Sequence, residues 1–248
     1  MKAFKTIILA VLALCLVFSF TACSGGADSK TLTMATNAEF PPYEYKEGDG
    51  FAGIDIDIMQ AVAEKLGKEL VIEDMEFDSI IPSITSGKAD VGAAGLTVTE
   101  ERLEEVNFSD SYATGIQVII VREDSNVDGD LTGLSVGVQQ GTTGDTYVDW
   151  GEFGEVANLE RYSKGFEAVQ ALAQGKIDAV VIDNEPAKVF VEENEGLKIL
   201  ESGSIVEDYA LAIAKGNEDL MNDINAALKE LKDSGRLQEI IDKYISAE

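Results

Sequence analysis

The strongest constraint on the fold is a pattern that the chain contains twice. A glycine-lysine turn, an aspartate and a short apolar run occur at residues 87–92 and again at residues 175–180. Apolar runs at residues 32–37 and 134–139 precede the two copies and also resemble each other. Between these runs, which read as buried strands, lie segments with the apolar spacing of amphipathic helices. Strands that alternate with helices predict two similar α/β units, each built around a parallel sheet.

The segment after the first copy places a turn, a helix start and a cation side by side. The chain can turn at Gly95, and Thr97 and Glu100 have the spacing of a helix capping box, with Thr99 as a competing cap. The free N–H groups of a helix start attract anions, and Arg102 adds a planar fork of donors that matches a carboxylate. The segment favours a carboxylate-binding site, and the alternative is a capped surface helix with an exposed arginine.

The second copy has an acidic residue at the equivalent point. Gly95 lies five residues after Asp90, and Asp183 lies five residues after Asp178. Ligands of open α/β sheets bind outside the carboxyl ends of the strands. Two facing units would therefore bring Gly95 and Arg102 opposite Asp183. A cleft with a cation on one wall and an anion on the other fits a zwitterion.

Charge and composition exclude several classes of function. The formal net charge is −27, and such an acidic surface is repelled by nucleic acid and by anionic lipid. The chain contains no histidine, which removes imidazole zinc ligands and His-dependent triads. The carboxylates of Asp55 and Asp57 alternate with isoleucine and project from one face where a helix begins, so we interpret them as charge compensation rather than catalysis. We expect no cofactor, no metal and no nucleic-acid partner.

The N-terminus has the pattern of an exported protein. Residues 1–22 combine two early lysines with an apolar run that is short for a membrane span, as in a signal peptide. Small residues precede Cys23, and a polar tether occupies residues 23–30. This arrangement resembles a bacterial lipoprotein processing site, although Phe20 stands where leucine is usual. The resemblance implies a lipid anchor on Cys23 and a location on the outer face of the cell membrane.

Five motifs follow one another along the chain, at residues 53–66, 95–102, 108–112, 140–143 and 229–244. Together they resemble the polar amino-acid family (family 3) of bacterial extracellular solute-binding proteins. The resemblance implies a two-lobed, type II venus-flytrap fold of the periplasmic-binding-protein kind, each lobe a mixed sheet flanked by helices. Lobe 1 would contain residues 31–113 and 211–248, and lobe 2 residues 114–210, with crossovers near residues 113–118 and 206–211. Such a receptor is a monomer that delivers a free L-amino acid to the permease of an ABC importer.

The resemblance also implies which residues hold the amino and carboxyl groups of the ligand. Arg102 would bind the α-carboxylate together with the backbone of Gly95 and Thr97. Thr97 and Asp183 would share the α-ammonium, with Asp183 as its counter-charge. Asp183 also precedes a predicted helix, so a turn or a helix cap is the alternative role for its side chain.

The remaining contacts implied by the resemblance come from both lobes. Phe40 and Phe77 would enclose the aliphatic part of the ligand side chain, although each could equally be a core residue. Thr142 and Thr143 would add carboxylate contacts from lobe 2, and the alternative is that they only cap a helix. Gln139 would line the pocket.

The identity of the ligand depends on one loop of lobe 1. Asn37 stands where some family members have an acidic residue that grips a cationic side chain, and its amide suits a glutamine-like ligand. Glu39 alternates onto the same side and could supply a charge. The run at residues 138–144 resembles basic amino-acid receptors, so we favour arginine or lysine, then glutamine, and expect Asp183 to exclude acidic amino acids.

Two other functions are compatible with this fold. The relatives of the family include dehydratases that act on cyclohexadienyl acids, and that chemistry needs a general acid in the cleft. Glu39 is the nearby candidate, without a histidine to assist it. A ligand sensor that presents its closed form to a receptor partner is the other alternative. We expect a transport receptor and no enzymatic activity.

Overall fold

The computed structural model describes residues 30–245, so the predicted signal peptide, the predicted lipidation site Cys23 and most of the predicted tether lie outside the described residues. The strands of the described chain are β1 (Thr31–Thr36), β2 (Glu39–Phe40), β3 (Glu44–Glu47), β4 (Gly50–Ala52), β5 (Glu69–Asp74), β6 (Val91–Gly92), β7 (Val106–Phe108), β8 (Ala113–Arg122), β9 (Ser135–Gln139), β10 (Asn158–Tyr162), β11 (Ala179–Asp183), β12 (Leu197–Tyr209) and β13 (Ala212–Ala214). The helices are α1 (Ile54–Lys65), α2 (Ile80–Thr85), α3 (Glu100–Glu105), α4 (Thr143–Asp149), α5 (Gly165–Ala173), α6 (Asn184–Glu193), α7 (Glu218–Asp233) and α8 (Arg236–Tyr244), and a single 3-10 turn, Phe77–Ser79, precedes α2.

Two five-stranded sheets with matching strand orders form the two lobes. The lobe 1 sheet has the order β5-β1-β6-β13-β7, and the lobe 2 sheet has the order β10-β9-β11-β8-β12. In each sheet three neighbouring strands are parallel, and the next strand is antiparallel to them. The predicted mixed α/β fold with two lobes is confirmed. A small sheet, β2-β3-β4, extends lobe 1 beside the cleft.

The repeated aspartate makes the same pair of backbone hydrogen bonds in each of the two lobes. Asp90 accepts a hydrogen bond from the backbone N–H of Thr33 at 2.8 Å, and its own N–H donates to the Thr33 carbonyl at 2.9 Å. Asp178 makes the same pair of bonds with Ser135, at 3.0 and 2.8 Å. Each aspartate thus ties the strand that it precedes to the neighbouring parallel strand of its own lobe, β1 in lobe 1 and β9 in lobe 2.

The lobes are joined where two long strands of lobe 2 run side by side. Strands β8 and β12 are antiparallel, and their pairing begins with Ala113 opposite Tyr209. The lobe 1 strands β7 and β13 end and begin a few residues away, at Phe108 and Ala212. The chain therefore passes between the sheets twice, within residues 109–112 and 210–211.

Helix α1 packs its apolar face against the sheet of lobe 1. Ile54, Ile58 and Val62 recur every fourth residue and are fully buried, so they form one face of the helix against the sheet. Pro82 lies in the first turn of α2, where its missing N–H costs little. None of the helices within residues 30–245 combines the length and apolar character needed to cross a membrane.

Two local predictions are wrong. The cap of α3 is Thr99, whose hydroxyl accepts from the N–H of Arg102 at 3.2 Å, because Thr97 is instead bridged to Tyr209. Asp55 and Asp57 do not project from one face, because α1 has already begun and turns successive residues by about 100°. Asp55 is fully buried, and Asp57 contacts Lys243 and Tyr244.

Candidate functional site

One cavity between the lobes is lined by all ten residues that the sequence predicts for the site. From lobe 1 these are Asn37, Phe40, Phe77, Gly95, Thr97 and Arg102, and from lobe 2 they are Gln139, Thr142, Thr143 and Asp183. Ala94 and Glu44, which the sequence reasoning did not select, complete the lining. The residues meet because the carboxyl ends of the parallel strands in both sheets point to the same cleft.

Arg102 is the cation of the cavity, and it already reaches both lobes. Its Nη1 donates to the Thr97 carbonyl at 2.8 Å, and its Nη2 donates to the Gly141 carbonyl of lobe 2 at 3.1 Å. The guanidinium carbon lies 5.4 Å from the centre of the Phe77 ring, in cation–π contact. Burial lowers the pKa of Arg102, while the nearby Glu207 and Asp183 act in the opposite direction. These contacts use two of its five N–H groups, and the others can bind a carboxylate.

Asp183 ends β11 inside the cavity and is buried. It occupies the cap position of α6, but its side chain makes no capping hydrogen bond. Instead, Tyr209 donates its hydroxyl to the Asp183 carboxyl group. Burial raises the pKa of Asp183 to about 7, with the charge of Glu207 adding to the effect. The helix-cap alternative for this side chain is therefore wrong, and a cation beside it would restore its ionised form.

Glu207, which sequence reasoning missed, braces the lobe 2 side of the cavity. Its Oε2 accepts from Gln117 Nε2 and from the Thr143 hydroxyl, both at 3.0 Å. Gln117 lies on β8 and Glu207 on β12, so the Thr143 side chain is fixed to both connecting strands. The Thr143 hydroxyl is engaged in this network rather than free to reach a ligand.

Thr142 has the role given by the alternative interpretation. Its hydroxyl accepts from the Asp145 N–H at 3.3 Å as the cap of α4, and it donates to the Gln139 carbonyl at 2.9 Å. Both hydrogen-bonding directions of this side chain are thus used within lobe 2. Any contact of Thr142 with a carboxylate would have to involve its backbone.

Gly95 has one expected role and one that the structure contradicts. Its φ of +54°, in the left-handed region that side chains disfavour, explains why the turn favours glycine. Its N–H, however, donates to the buried Asp55 carboxylate at 2.9 Å. The expectation that this N–H helps Arg102 to hold a carboxylate is wrong, because Asp55 already occupies it. Tyr112 is the second donor to Asp55, at 2.7 Å.

The two aromatic rings of the cavity lining come from two separate segments of lobe 1, strand β2 and the 3-10 turn. Phe40 is buried, and its ring stacks on Tyr43 with centroids 6.2 Å apart and planes at 26°. Phe77 is half-buried in the 3-10 turn before α2 and faces Arg102. Phe40 therefore belongs to the core and to the cavity wall at once, so the two interpretations of this residue are compatible.

Four side-chain contacts join the lobes across the cleft. Gln139 Nε2 donates to Asn37 Oδ1 at 2.9 Å, and Gln140 Nε2 donates to Asp78 Oδ2 at 2.8 Å. The other two are the bond from Arg102 to Gly141 and an ion pair between Lys164 and Glu39. The lobes are therefore in a closed arrangement.

These contacts change the interpretation of the lobe 1 loop. Asn37 also donates its Nδ2 to the Met75 carbonyl at 2.8 Å, so both of its polar atoms have protein partners. Glu39 pairs with Lys164 and lies outside the set of residues that line the cavity. The suggestion that Glu39 turns inward to supply a charge is wrong, because its side chain is held by lobe 2.

Glu44 is the acidic residue that this loop does present to the cavity. It begins β3 opposite Phe40, is 1% exposed, and has no hydrogen-bond partner for either carboxyl oxygen. Burial, with the charges of Asp55 and Asp183 adding to it, raises the pKa of Glu44 well above its usual range. No pattern in the sequence marks this burial, because Tyr43 and Tyr45 alternate onto the other face of the strand and exposed Lys46 shares the face of Glu44.

Within residues 30–245 no group of histidine, cysteine, aspartate or glutamate side chains has the arrangement needed to hold a metal ion. A cavity between two α/β lobes, lined by aromatic rings, a buried carboxyl group and an arginine, is the architecture of a solute-binding protein. The family model described as bacterial extracellular solute-binding proteins, family 3, matches residues 32–247. The chain belongs to this family.

Individual relatives agree with this assignment. The arginine-binding extracellular protein ArtP of Bacillus subtilis is 34% identical over 98% of this chain and 99% of its own length. An ancestral arginine-binding protein, solved with two different ligands, is 39% identical to this chain in each structure. Bound to arginine it has a TM-score of 0.82 and covers 88% of this chain and 99% of its own. Bound to glutamine it has a TM-score of 0.83, with 89% and 100% covered. An ancestral amino acid-binding protein described as a precursor of cyclohexadienyl dehydratase is 31% identical, with a TM-score of 0.80 over 87% of this chain and 95% of its own.

Proposed function

We propose that this protein is an extracellular receptor that captures a polar amino acid between its lobes and delivers it to an ABC permease. Arginine or lysine is the preferred ligand, and glutamine is second. The observation that carries the proposal is that Arg102 and Asp183 line the same cavity from opposite lobes. An α-amino acid presents a carboxylate and an ammonium on one carbon, so a fixed cation and a fixed acidic group together recognise that part of the molecule.

The two charged groups divide the work between the lobes. The guanidinium of Arg102 receives the α-carboxylate, supported by the ring of Phe77 on its other face. Asp183 and Thr97 receive the α-ammonium, and the approach of that cation ionises Asp183. Phe40 and Phe77 enclose the aliphatic part of the side chain, and Gln139 lines the far wall. Thr142 and Thr143 contribute through the start of α4 rather than through their hydroxyls.

Names of relatives support the preference for a basic ligand. ArtP is named for arginine, and the ancestral arginine-binding protein has been solved with arginine and with glutamine. A site that holds both ligands in a relative agrees with arginine first and glutamine second here. Acidic amino acids are disfavoured because a ligand carboxylate beside Asp183 and Glu44 would gain no cationic partner from them, and because the net charge of −27 repels anions.

We further propose that the lobes open and close about the two connections at residues 109–112 and 210–211. Half of the site belongs to each lobe, so a ligand can enter only when they separate and is enclosed when they meet. The protein acts as a monomer, held at the outer face of the membrane by a lipid on Cys23. The lobe division at residues 113/114 and 210/211 is part of the same proposal.

An enzyme on this fold is the alternative, since one relative is a precursor of cyclohexadienyl dehydratase. The acid that the sequence suggested for such chemistry, Glu39, is paired with Lys164 outside the cavity lining. We therefore propose binding without turnover. Incubating the protein with its ligand and finding the ligand chemically unchanged supports this, and a product would overturn it.

A sensor would use the same cavity and differ only in its partner. Neighbouring genes for a permease and an ATPase, or capture of the permease by the liganded protein, would favour transport. Capture of a signalling receptor instead would favour sensing.

A thermal-shift screen of the twenty common amino acids tests the ligand class. Binding to the folded state alone raises the melting temperature with ligand concentration. We expect the largest rise with arginine or lysine and a smaller one with glutamine. Stabilisation by glutamine without arginine or lysine would reverse the order of preference. Stabilisation by aspartate or glutamate would contradict the proposed site.

A further inference from the structure

Glu44 is a buried acid that the fold does not use. Both of its carboxyl oxygens are inaccessible to solvent and without a hydrogen-bond partner, although the residue lines the cavity. Buried polar groups in proteins are nearly always paired, because an unpaired one costs the free energy of its lost hydration. An orphan carboxyl group at the wall of a ligand cavity therefore points to a partner that the ligand supplies.

The surroundings of Glu44 specify the charge of that partner. Its electrostatic neighbours are Asp55 and Asp183, both of them acidic, and burial also opposes its ionisation. Asp55 is already engaged by the Gly95 N–H and the Tyr112 hydroxyl. A cationic group placed beside Glu44 would gain a charge-assisted hydrogen bond and relieve the repulsion between these carboxyl groups.

Other candidates for a side-chain partner are occupied. Asn37 is bonded to Met75 and to Gln139, and Glu39 is paired with Lys164. Among the residues that line the cavity, the carboxyl groups are those of Asp183 and Glu44. Asp183 is assigned to the α-ammonium, which leaves Glu44 for a second cation on the ligand.

The order of the charged groups agrees with the shape of a basic amino acid. Asp183 influences the pKa of Arg102 and also that of Glu44, so it lies within electrostatic reach of both. A ligand whose carboxylate is at Arg102 and whose ammonium is at Asp183 extends its side chain past the rings of Phe40 and Phe77. We propose that the carboxyl group of Glu44 binds the cationic end of this side chain and selects a basic over a neutral amino acid.

This proposal rests on the proposed function, and a neutral analogue separates the two. Citrulline has the shape of arginine with a neutral urea group in place of the guanidinium. Calorimetry should measure both ligands with the wild-type protein and with Glu44→Gln. Glutamine keeps the size of a protonated glutamate, so the variant should fold, and its melting temperature without ligand checks this.

We expect the wild-type protein to prefer arginine to citrulline by about a hundredfold or more, as for a buried charged hydrogen bond. In Glu44→Gln the arginine affinity should fall by about that factor while citrulline changes less than about threefold. Glu39→Gln is the matched control, because it removes a carboxylate of the same loop that pairs with the protein. It should alter both affinities equally and leave the preference intact.

Equal losses for arginine and citrulline in Glu44→Gln would overturn the proposal, since they would indicate a structural role. An unchanged arginine affinity would overturn it as well. If the wild-type protein bound citrulline or glutamine but not arginine, the receptor function would stand and the role of Glu44 would fail. If it bound no amino acid, the proposed function would fail, and the role of Glu44 with it.

Discussion

In lobe 1 the strand β6 leads through Gly95 to Arg102, whereas in lobe 2 the equivalent strand β11 ends on Asp183 itself. Both strands are preceded by an aspartate that binds the neighbouring parallel strand of the lobe, at Thr33 and Ser135. The scaffold of the two lobes is thus the same, while the charge carried at the strand end is opposite. The strand order determines where a site residue lies, and a single position determines what it recognises.

The lobes also differ in how they hold their charged group. Asp183 is bonded to Tyr209, the last residue of strand β12, so the acidic group is held next to the connection at residues 210–211. Arg102 instead reaches across the cleft to Gly141. The acidic group of lobe 2 is therefore held by its own lobe, whereas the arginine of lobe 1 is held in part by the opposite lobe.

Removal of Arg102 should have the largest effect. Arg102→Ala leaves a ligand carboxylate and Asp183 without their cation, and losing one partner of a buried charge pair costs about 3–5 kcal/mol. We expect the ligand to bind about a hundredfold more weakly or worse, measured by calorimetry. Lys88→Ala removes an exposed cation of the same lobe and should leave affinity unchanged. A loss of less than about tenfold for Arg102→Ala would show that the lobe 1 cation is not the carboxylate anchor.

Asp183→Asn should weaken binding and stabilise the empty protein. The pKa of Asp183 is about 7 in the folded protein and about 4 when unfolded, so the folded state binds the extra proton between these values. Stability without ligand should therefore be highest near pH 4 and fall as the pH rises through 7. The variant lacks this loss, so at pH 8 it should be more stable than the wild type by up to about 4 kcal/mol, from about 1.4 kcal/mol for each unit of pKa difference.

Denaturant unfolding of both proteins without ligand, at pH 4 and at pH 8, measures this difference. The wild type and the variant should have similar unfolding free energies at pH 4. Part of the pH dependence should remain in the variant, because burial also raises the pKa of Asp55 to about 6. A variant less stable than the wild type at pH 8 would mean that lobe 2 needs Asp183 for folding rather than for the ligand.

The repeated aspartates should contribute equally to stability. Asp90→Ala and Asp178→Ala each remove the acceptor for a strand N–H, which costs about 1–2 kcal/mol of unfolding free energy. Ligand preference should not change, because neither residue lines the cavity. If the loss of unfolding free energy differed by several-fold between the two variants, the equivalence of the lobes would be contradicted.

The ion pair across the cleft should have the smallest effect. Lys164→Ala removes the partner of Glu39, and a partly exposed pair contributes about 1 kcal/mol or less. Affinity should fall less than about tenfold, by the same factor for every ligand. Radii of gyration from solution scattering, with and without ligand, would detect any opening that accompanies the loss. A change in the preferred ligand would indicate that Lys164 takes part in recognition.

Much of the arrangement could be predicted from local sequence. The two similar units, the site at the strand ends and the positions of Arg102 and Asp183 follow from patterns within about ten residues, because strand ends and turns have local signals. The choice between Thr97 and Thr99 as the cap of α3 could not be made in this way. It depends on the bridge from Thr97 to Tyr209, which lies more than a hundred residues further along the chain, at the end of β12.

The buried acids were missed for a similar reason. Asp55, Glu44 and Glu207 lie in segments where an acidic residue is normally exposed, and their burial results from contacts distant in sequence. Asp55 meets Gly95 and Tyr112, and Glu207 meets Gln117 and Thr143. A carboxylate in a helix start or a strand carries no sign in the sequence of whether a distant part of the chain will cover it.

The bond between Gln139 and Asn37 has a kinetic consequence. These two neutral amides join the lobes directly across the cleft. If the lobes open and close as proposed, this bond and the neighbouring ion pair must break before a ligand enters, so their separation acts as a gate. We therefore expect the observed rate of ligand association to be below the diffusion limit. At high ligand concentration this rate should reach a plateau equal to the rate at which the amide pair opens.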